Sequence, residues 1–169
     1  LKSDTEVIRQ IFQHIDAGTT DLGESGWKEP VENYTSEKRF GAELNLLKCL
    51  PVVFAPSAAL SDEGSYIARP VAGVPIIVVR DKSKKLRAFR NACRHRGKTL
   101  VEGEGKTSVF RCRYHGWTYG IDGSLQYVPH EAGFPGLDHG CHSLIPLHGV
   151  IEQGGLVYVC IEELFDQGA

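Results

Sequence analysis

The first fifty residues and the rest of the chain follow different hydrophobic rhythms. Val7, Ile8, Ile11, Phe12 and Ile15 recur at three- and four-residue steps, the spacing of one helix face. Ser3 or Asp4 can cap the start of this helix, and Gly18 can end it. Residues 19–30 are polar and Gly-bearing, which predicts a loop or arm. Residues 36–47 predict a second helix with Phe40, Leu44 and Leu47 on one face. From Pro51 the apolar runs become short and rich in β-formers: 66–71, 76–80, 86–91, 108–111, 118–121, 125–128, 149–152 and 156–161. Gly, Pro, Asp or Lys separates them, so the pattern predicts an antiparallel sandwich or barrel. Asp122-Gly123 predicts a hairpin turn because both residues tolerate positive φ, and 81–85 predicts another turn. The division expected is an N-terminal helical arm over 1–35 and a mainly β domain over 36–165.

At 169 residues the chain is long enough to bury a core without help from disulfides. The net charge of −2, with basic residues spread along the sequence, gives no concentrated cationic face and argues against nucleic acid. The densest basic stretch is 80–96, and a local basic face there can dock an acidic partner. No apolar run reaches the roughly 20 residues that span a bilayer, and no secretion signal opens the sequence. Five cysteines, an odd number, with no signal peptide predict a reduced, cytoplasmic protein. Cys49, Cys141 and Cys160 read as small core or surface thiols.

Two short segments carry the chemistry. Cys93-Arg94-His95-Arg96-Gly97 and Cys112-Arg113-Tyr114-His115-Gly116-Trp117 each supply one thiolate and one imidazole, and sixteen residues separate His95 from Cys112. Thiolates stabilise iron–sulfur clusters or zinc. With both cysteines on one iron and both histidines on the other, a two-iron, two-sulfur cluster carries less negative charge than an all-thiolate one. Its potential is correspondingly higher, and the histidine-bound iron becomes the electron exit. Gly97 and Gly116 let the chain turn sharply and bring N–H groups toward the sulfurs. Trp117 can shield one side of the cluster from water. The rival is a tetrahedral zinc site, although common zinc fingers pair Cys with Cys and His with His, whereas each loop here has one of each.

Cys-x-His-Arg-Gly followed by Cys-x-Tyr-His-Gly-Trp resembles the Rieske domain of ring-hydroxylating oxygenase large (α) subunits. The likeness extends to 88–93 before the first loop, to 117–123 after the second, and to 74–80 and 155–159; it covers roughly 34–161. Arg113 stands where that family often has Pro, and Pro51 falls about where it commonly has Trp; neither is a ligand. The resemblance implies a Rieske-type antiparallel β-sandwich with a small cluster-binding subdomain. It implies that Cys93, His95, Cys112 and His115 bind the two-iron, two-sulfur cluster, supported by Arg96, Gly97, Tyr114, Gly116 and Trp117. No residue of this chain is expected to be catalytic.

Respiratory Rieske proteins have a further cysteine beside each loop, where this chain has Lys98 and Tyr114, and a Ser where it has Trp117. With that sulfur-bonding hydroxyl missing, the potential expected is near the low end of the Rieske range, roughly −150 mV. A free-standing Rieske ferredoxin is the alternative; such proteins are usually shorter and lack the helical arm. The resembled oxygenases also bind a mononuclear Fe(II), through two His and one carboxylate, in a C-terminal catalytic domain. Asp138, His142 and His148 are the nearest such set here, but their spacing departs from the family's pattern. They read as surface or packing residues, as do His14 and His130. The chain is therefore expected to be the electron-accepting piece of a longer subunit. The partners implied are a ferredoxin or flavin reductase as donor and the catalytic domain of the same or a neighbouring subunit as acceptor. A homo-oligomer is implied for the full-length protein. Its reaction would be NAD(P)H- and O2-dependent hydroxylation of an aromatic or related substrate.

Overall fold

A computed structural model describes residues 2–23 and 25–162. They fall into two compact units, divided between Ser36 and Glu37. In the first unit, helix α1 (Asp4–Ala17) begins with a reciprocal cap: Ser3 Oγ accepts from the Glu6 N–H, and the Glu6 carboxylate accepts from the Ser3 N–H. Gly18, in the left-handed conformation (φ 61°), closes it. The apolar stripe predicted for this helix is present, yet none of its residues is buried within the described chain. A one-turn helix, α2 (Glu32–Thr35), follows.

The second unit opens with α3 (Glu37–Cys49), which starts one residue later and ends two residues later than the sequence predicts. Among the described residues, ten strands then form three antiparallel sheets. The first pairs β1 (Val52–Pro56), β10 (Leu156–Cys160) and β9 (Gly149–Gln153), in that order. The second runs β4 (Leu86–Arg90), β3 (Val74–Arg80), β2 (Ser65–Val71), β5 (Gly103–Lys106). The third is a small meander of β6 (Val109–Arg111), β7 (Thr118–Gly120) and β8 (Leu125–Tyr127).

Strand β3 explains the layering. Its run Ile76-Ile77-Val78-Val79 is fully buried, which an alternating half-exposed strand would not be. Ile76 and Val78 pack with Phe54, Leu60, Val157 and Val159 of the first sheet's core. Ile77 and Val79 point the other way, to Phe89, Phe110, Tyr119 and Leu125. The central sheet is thus covered on both faces, and the β6–β8 meander is the small subdomain. Both predicted turns form: Asp81 N–H donates to the Lys85 carbonyl, and Gly120 N–H donates to the Ser124 carbonyl with Gly123 at φ 87°. Arg80, itself buried, makes two hydrogen bonds to the Glu152 carboxylate (2.8 and 2.9 Å), joining β3 to β9.

Candidate metal centre

Both Cys/His loops pack on the side of the central sheet that carries Ile77 and Val79. The first leaves β4 directly. Asn91, buried, pins its two ends together: Nδ2 donates to the Val101 carbonyl (2.7 Å), and Oδ1 accepts from the N–H groups of Leu100 (3.0 Å) and Val101 (3.4 Å). Its own N–H donates to the Pro75 carbonyl of β3. The second loop joins β6 to β7.

The two loops repeat one backbone design. Cys93 N–H donates to the Lys98 carbonyl, and Cys112 N–H donates to the Trp117 carbonyl, each five residues on. Gly97 N–H returns to the Cys93 carbonyl (2.8 Å), and Gly116 N–H to the Cys112 carbonyl (3.0 Å). Both glycines have the positive φ expected of them, 69° and 76°. Their N–H groups are therefore taken by carbonyls. The His95 N–H approaches the Cys93 sulfur instead.

This design sorts the four donors into pairs. Cys93 and Cys112 are both buried in one core cluster. The rings of His95 and His115 lie 4.7 Å apart, with His115 exposed. Trp117, buried, stacks flat on His95 (5.1 Å, 7°), and Phe134 meets both rings edge-on. Tyr114, exposed, lies against His115 at 3.8 Å. The Tyr119 hydroxyl sits 3.3 Å from Cys93 Sγ and accepts the Arg94 N–H (2.9 Å).

The electrostatics suit a metal. Burial, then the charges of His115 and Arg96, push the His95 pKa down, which favours the neutral ring, the form that ligates. Its Nδ1 is buried and has no hydrogen-bond partner among the described residues. An unpartnered buried nitrogen is costly unless something takes its lone pair. Burial pushes the Cys93 thiol up, against the Tyr119 hydroxyl and the His95 N–H. Burial likewise pushes the Tyr119 phenol up. A cation reverses the preference at cysteine, because a coordinating thiol is deprotonated outright. Among the described residues no three His, Cys, Asp or Glu side chains converge on one metal-sized point. Two separate donor pairs suit a cluster of two irons better than one tetrahedral zinc.

Outside this centre, Asp138 Oδ1 accepts the Gly140 N–H, its Oδ2 accepts the Cys141 thiol, and its carbonyl meets His142 Nδ1. His139 bridges Glu131 and the Leu125 carbonyl. His14 is bonded to Thr19. Cys141 is exposed, Cys49 and Cys160 are half-buried, and none forms a disulfide. Sequence reasoning did not single out Tyr119, Asn91 or Phe134. The alternation Trp117-x-Tyr119, which puts two aromatics on one side of a strand, was the signal for the first.

Comparison with known proteins agrees with this geometry. Residues 51–145 match the family model described as the Rieske [2Fe-2S] domain. The chain belongs to the Rieske [2Fe–2S] domain family. It is 33% identical over 138 residues to the carnitine monooxygenase oxygenase subunit of Escherichia coli (strain K12), covering 80% of this chain and 37% of that one. It is 36% identical over 146 residues to the large oxygenase component of the naphthalene 1,2-dioxygenase system of Pseudomonas aeruginosa, covering 84% and 32%. A quaternary ammonium Rieske monooxygenase in its apo form superposes with a TM-score of 0.76 at 35% identity, covering 82% of this chain and 40% of that one. Naphthalene 1,2-dioxygenase from Rhodococcus sp. bound to indole gives 0.74 at 26% identity, covering 95% and 36%. The chain thus spans little more than a third of the length of these relatives. Among the described residues, no helix is long and apolar enough to cross a membrane.

Proposed function

We propose that this chain is the electron-carrying domain of an oxygenase. It accepts one electron at a time from a ferredoxin or flavin reductase and delivers it to a catalytic iron domain of the same or a neighbouring subunit. The Rieske cluster, when bound, supplies a one-electron couple. Cys93 and Cys112 are its proposed thiolate ligands, and His95 and His115 its imidazole ligands. The observation that carries the reading is the donor pairing: two buried cysteines in one core cluster, and two imidazoles 4.7 Å apart with one of them exposed.

The surrounding side chains have distinct tasks. Trp117 and Phe134 exclude water from one side of His95 and hold its plane. Gly97 and Gly116 set the loop turns. Arg96 adds positive charge beside His95. Tyr114 covers His115 while leaving it exposed as the exit for the electron.

The relatives are oxygenase components, which favours this reading over a free-standing ferredoxin. Their names span carnitine and naphthalene, and one related structure is described by inter-subunit electron transfer. The whole protein is accordingly proposed as a cytoplasmic homo-oligomer. It would hydroxylate an organic substrate with NAD(P)H and O2, at a mononuclear iron site outside this chain. The test is metal and acid-labile sulfide analysis with anaerobic reductive titration. The reading expects about two iron, two sulfide and one electron taken up per chain. Stoichiometric zinc and no visible absorption would refute it.

A further inference from the structure

Two cysteines that the metal centre does not use lie side by side where helix α3 gives way to the sheets. Cys49 is the last residue of α3, and Cys160 is the last residue of β10. The Cys160 thiol donates to the Cys49 carbonyl and to the Glu162 carbonyl, both at 3.1 Å. The N–H groups of Ile161 and Glu162 donate to the Lys48 carbonyl, at 3.1 and 3.0 Å. Residues 48–49 and 160–161 thus run past each other as neighbouring backbones, just before Val52 pairs with Val159 in the first sheet. Hydrogen-bonded antiparallel neighbours stand about 5 Å apart, and a disulfide needs Cα atoms about 4.4–6.8 Å apart.

Both thiols are half-buried and unbridged. Opposite Cys160 on β9 stands Gly149, which has no side chain to wedge the sulfur in place. Rotation about the Cα–Cβ bond of Cys160 is enough to turn its sulfur from the Cys49 carbonyl toward the Cys49 sulfur. Burial, then the nearness of Cys49, pushes the Cys160 thiol up, so it rests protonated. The remaining cysteines have other engagements. Cys93 and Cys112 are the proposed cluster ligands. The exposed Cys141 thiol donates to the Asp138 carboxylate, which pushes it up and disfavours the thiolate that oxidants attack.

We propose that Cys49 and Cys160 form a reversible disulfide in response to hydrogen peroxide, stapling α3 to β10. The Cys49 sulfur, as thiolate, attacks one peroxide oxygen. The O–O bond breaks, hydroxide leaves and takes up the Cys49 proton as water, and Cys49 becomes a sulfenic acid. The Cys160 sulfur then attacks the Cys49 sulfur. The S–S bond forms, the S–O bond breaks, and the departing hydroxyl carries off the Cys160 proton as a second water. The two sulfurs lose two electrons and peroxide gains them. The joined residues are 111 apart in sequence, so the closed loop contains both Cys/His turns. Closing so long a loop restricts the unfolded chain and stabilises the domain around those turns. The inference concerns the frame of the domain and does not rest on the electron-carrier reading.

The test treats the cluster-loaded chain with a few equivalents of hydrogen peroxide and maps its disulfides by mass spectrometry of a non-reduced digest. A peptide pair joining Cys49 to Cys160 should appear, lighter by two hydrogens than the free peptides together. It should form with the visible absorption retained and vanish on adding dithiothreitol. Cys49→Ser and Cys160→Ser should each abolish it, and Cys141→Ser should leave it unchanged. The urea midpoint of the wild-type chain should rise by about 1 M on oxidation and return on reduction, with no such rise in Cys160→Ser.

Sulfinic acid at Cys49 or Cys160 without the linked pair would overturn the inference. So would disulfide-linked dimers through Cys141 in place of the internal bridge, or bleaching of the visible absorption before the bridge forms. A bridge that left the urea midpoint unchanged or lowered would overturn the staple.

Discussion

The Tyr119 hydroxyl lies between Cys93 Sγ and the Arg94 N–H, and it changes the expected redox behaviour. It accepts the N–H and is free to donate to sulfur, and such a bond is stronger when the cluster is reduced and more negative. The low potential expected from the sequence rests on Trp117 standing where respiratory Rieske proteins have a sulfur-bonding hydroxyl. The Tyr119 hydroxyl reaches Cys93 from 26 residues away, a proximity that only folding creates. One hydrogen bond of about 1 kcal/mol corresponds to roughly 40 mV for one electron. Tyr119→Phe should therefore lower the midpoint by about that amount in a redox titration, with the cluster retained. An unchanged or higher midpoint would show that the hydroxyl does not bond the sulfur in the loaded protein. The four ligand candidates themselves were legible, because their residue types and spacing need no tertiary information. Asn91 was not, because its value lies in three hydrogen bonds that exist only once residue 101 has folded back.

At the scale of elements, the two Cys/His turns look alike but have different surroundings. Gly97 and Gly116 both have positive φ, which costs an alanine roughly 1–2 kcal/mol. A Cβ on Gly97 meets open space, whereas one on Gly116 would lie 2.9 Å from Pro129 Cγ. Gly116→Ala should thus cost more stability than Gly97→Ala, by about 1 kcal/mol or more in denaturant midpoint experiments. Equal losses would mean that Pro129 gives way freely. Elements with a strong internal pattern were readable: β3 from its continuous apolar run, the two hairpins from Asp122-Gly123 and 81–85. Strand β5 was not, since Gly103–Lys106 is exposed throughout and owes its pairing to β2. Strand β1 is short, and its partner β10 lies a hundred residues away, so nothing local announced it. The apolar stripe of α1 was read correctly as helical, but periodicity does not say what covers it.

For the whole molecule, one tie between sheets and one hairpin turn depend on carboxylates whose ionisation the fold favours. Hydrogen bonds from Arg80 hold the Glu152 carboxyl below its ordinary range. Burial opposes ionisation of Asp81, but bonds from Arg87 and from the Lys85 and Ser83 N–H groups outweigh it. Both folded pKa values are depressed, so both groups bind protons more readily when unfolded. Their stabilisation is complete above the unfolded value of about 4 and is lost as pH falls through the lower folded values. Resistance to denaturant should hold from about pH 8 to 6 and decline below about pH 4, and Glu152→Gln should flatten part of that decline. A variant with the wild-type slope would remove Glu152 from this account. The sandwich with its small subdomain was legible through the family resemblance, whereas hydrophobic pattern alone did not separate the β6–β8 meander from the other strands. The central claim is that two imidazoles and two thiolates share one cluster. Pulsed electron paramagnetic resonance of the reduced, 15N-histidine-labelled protein tests it most directly. The account predicts two strongly coupled histidine nitrogens, with His115→Ala abolishing the two-nitrogen signal. A paramagnetic cluster with no coupled histidine nitrogen, or one unaffected by that substitution, would contradict it.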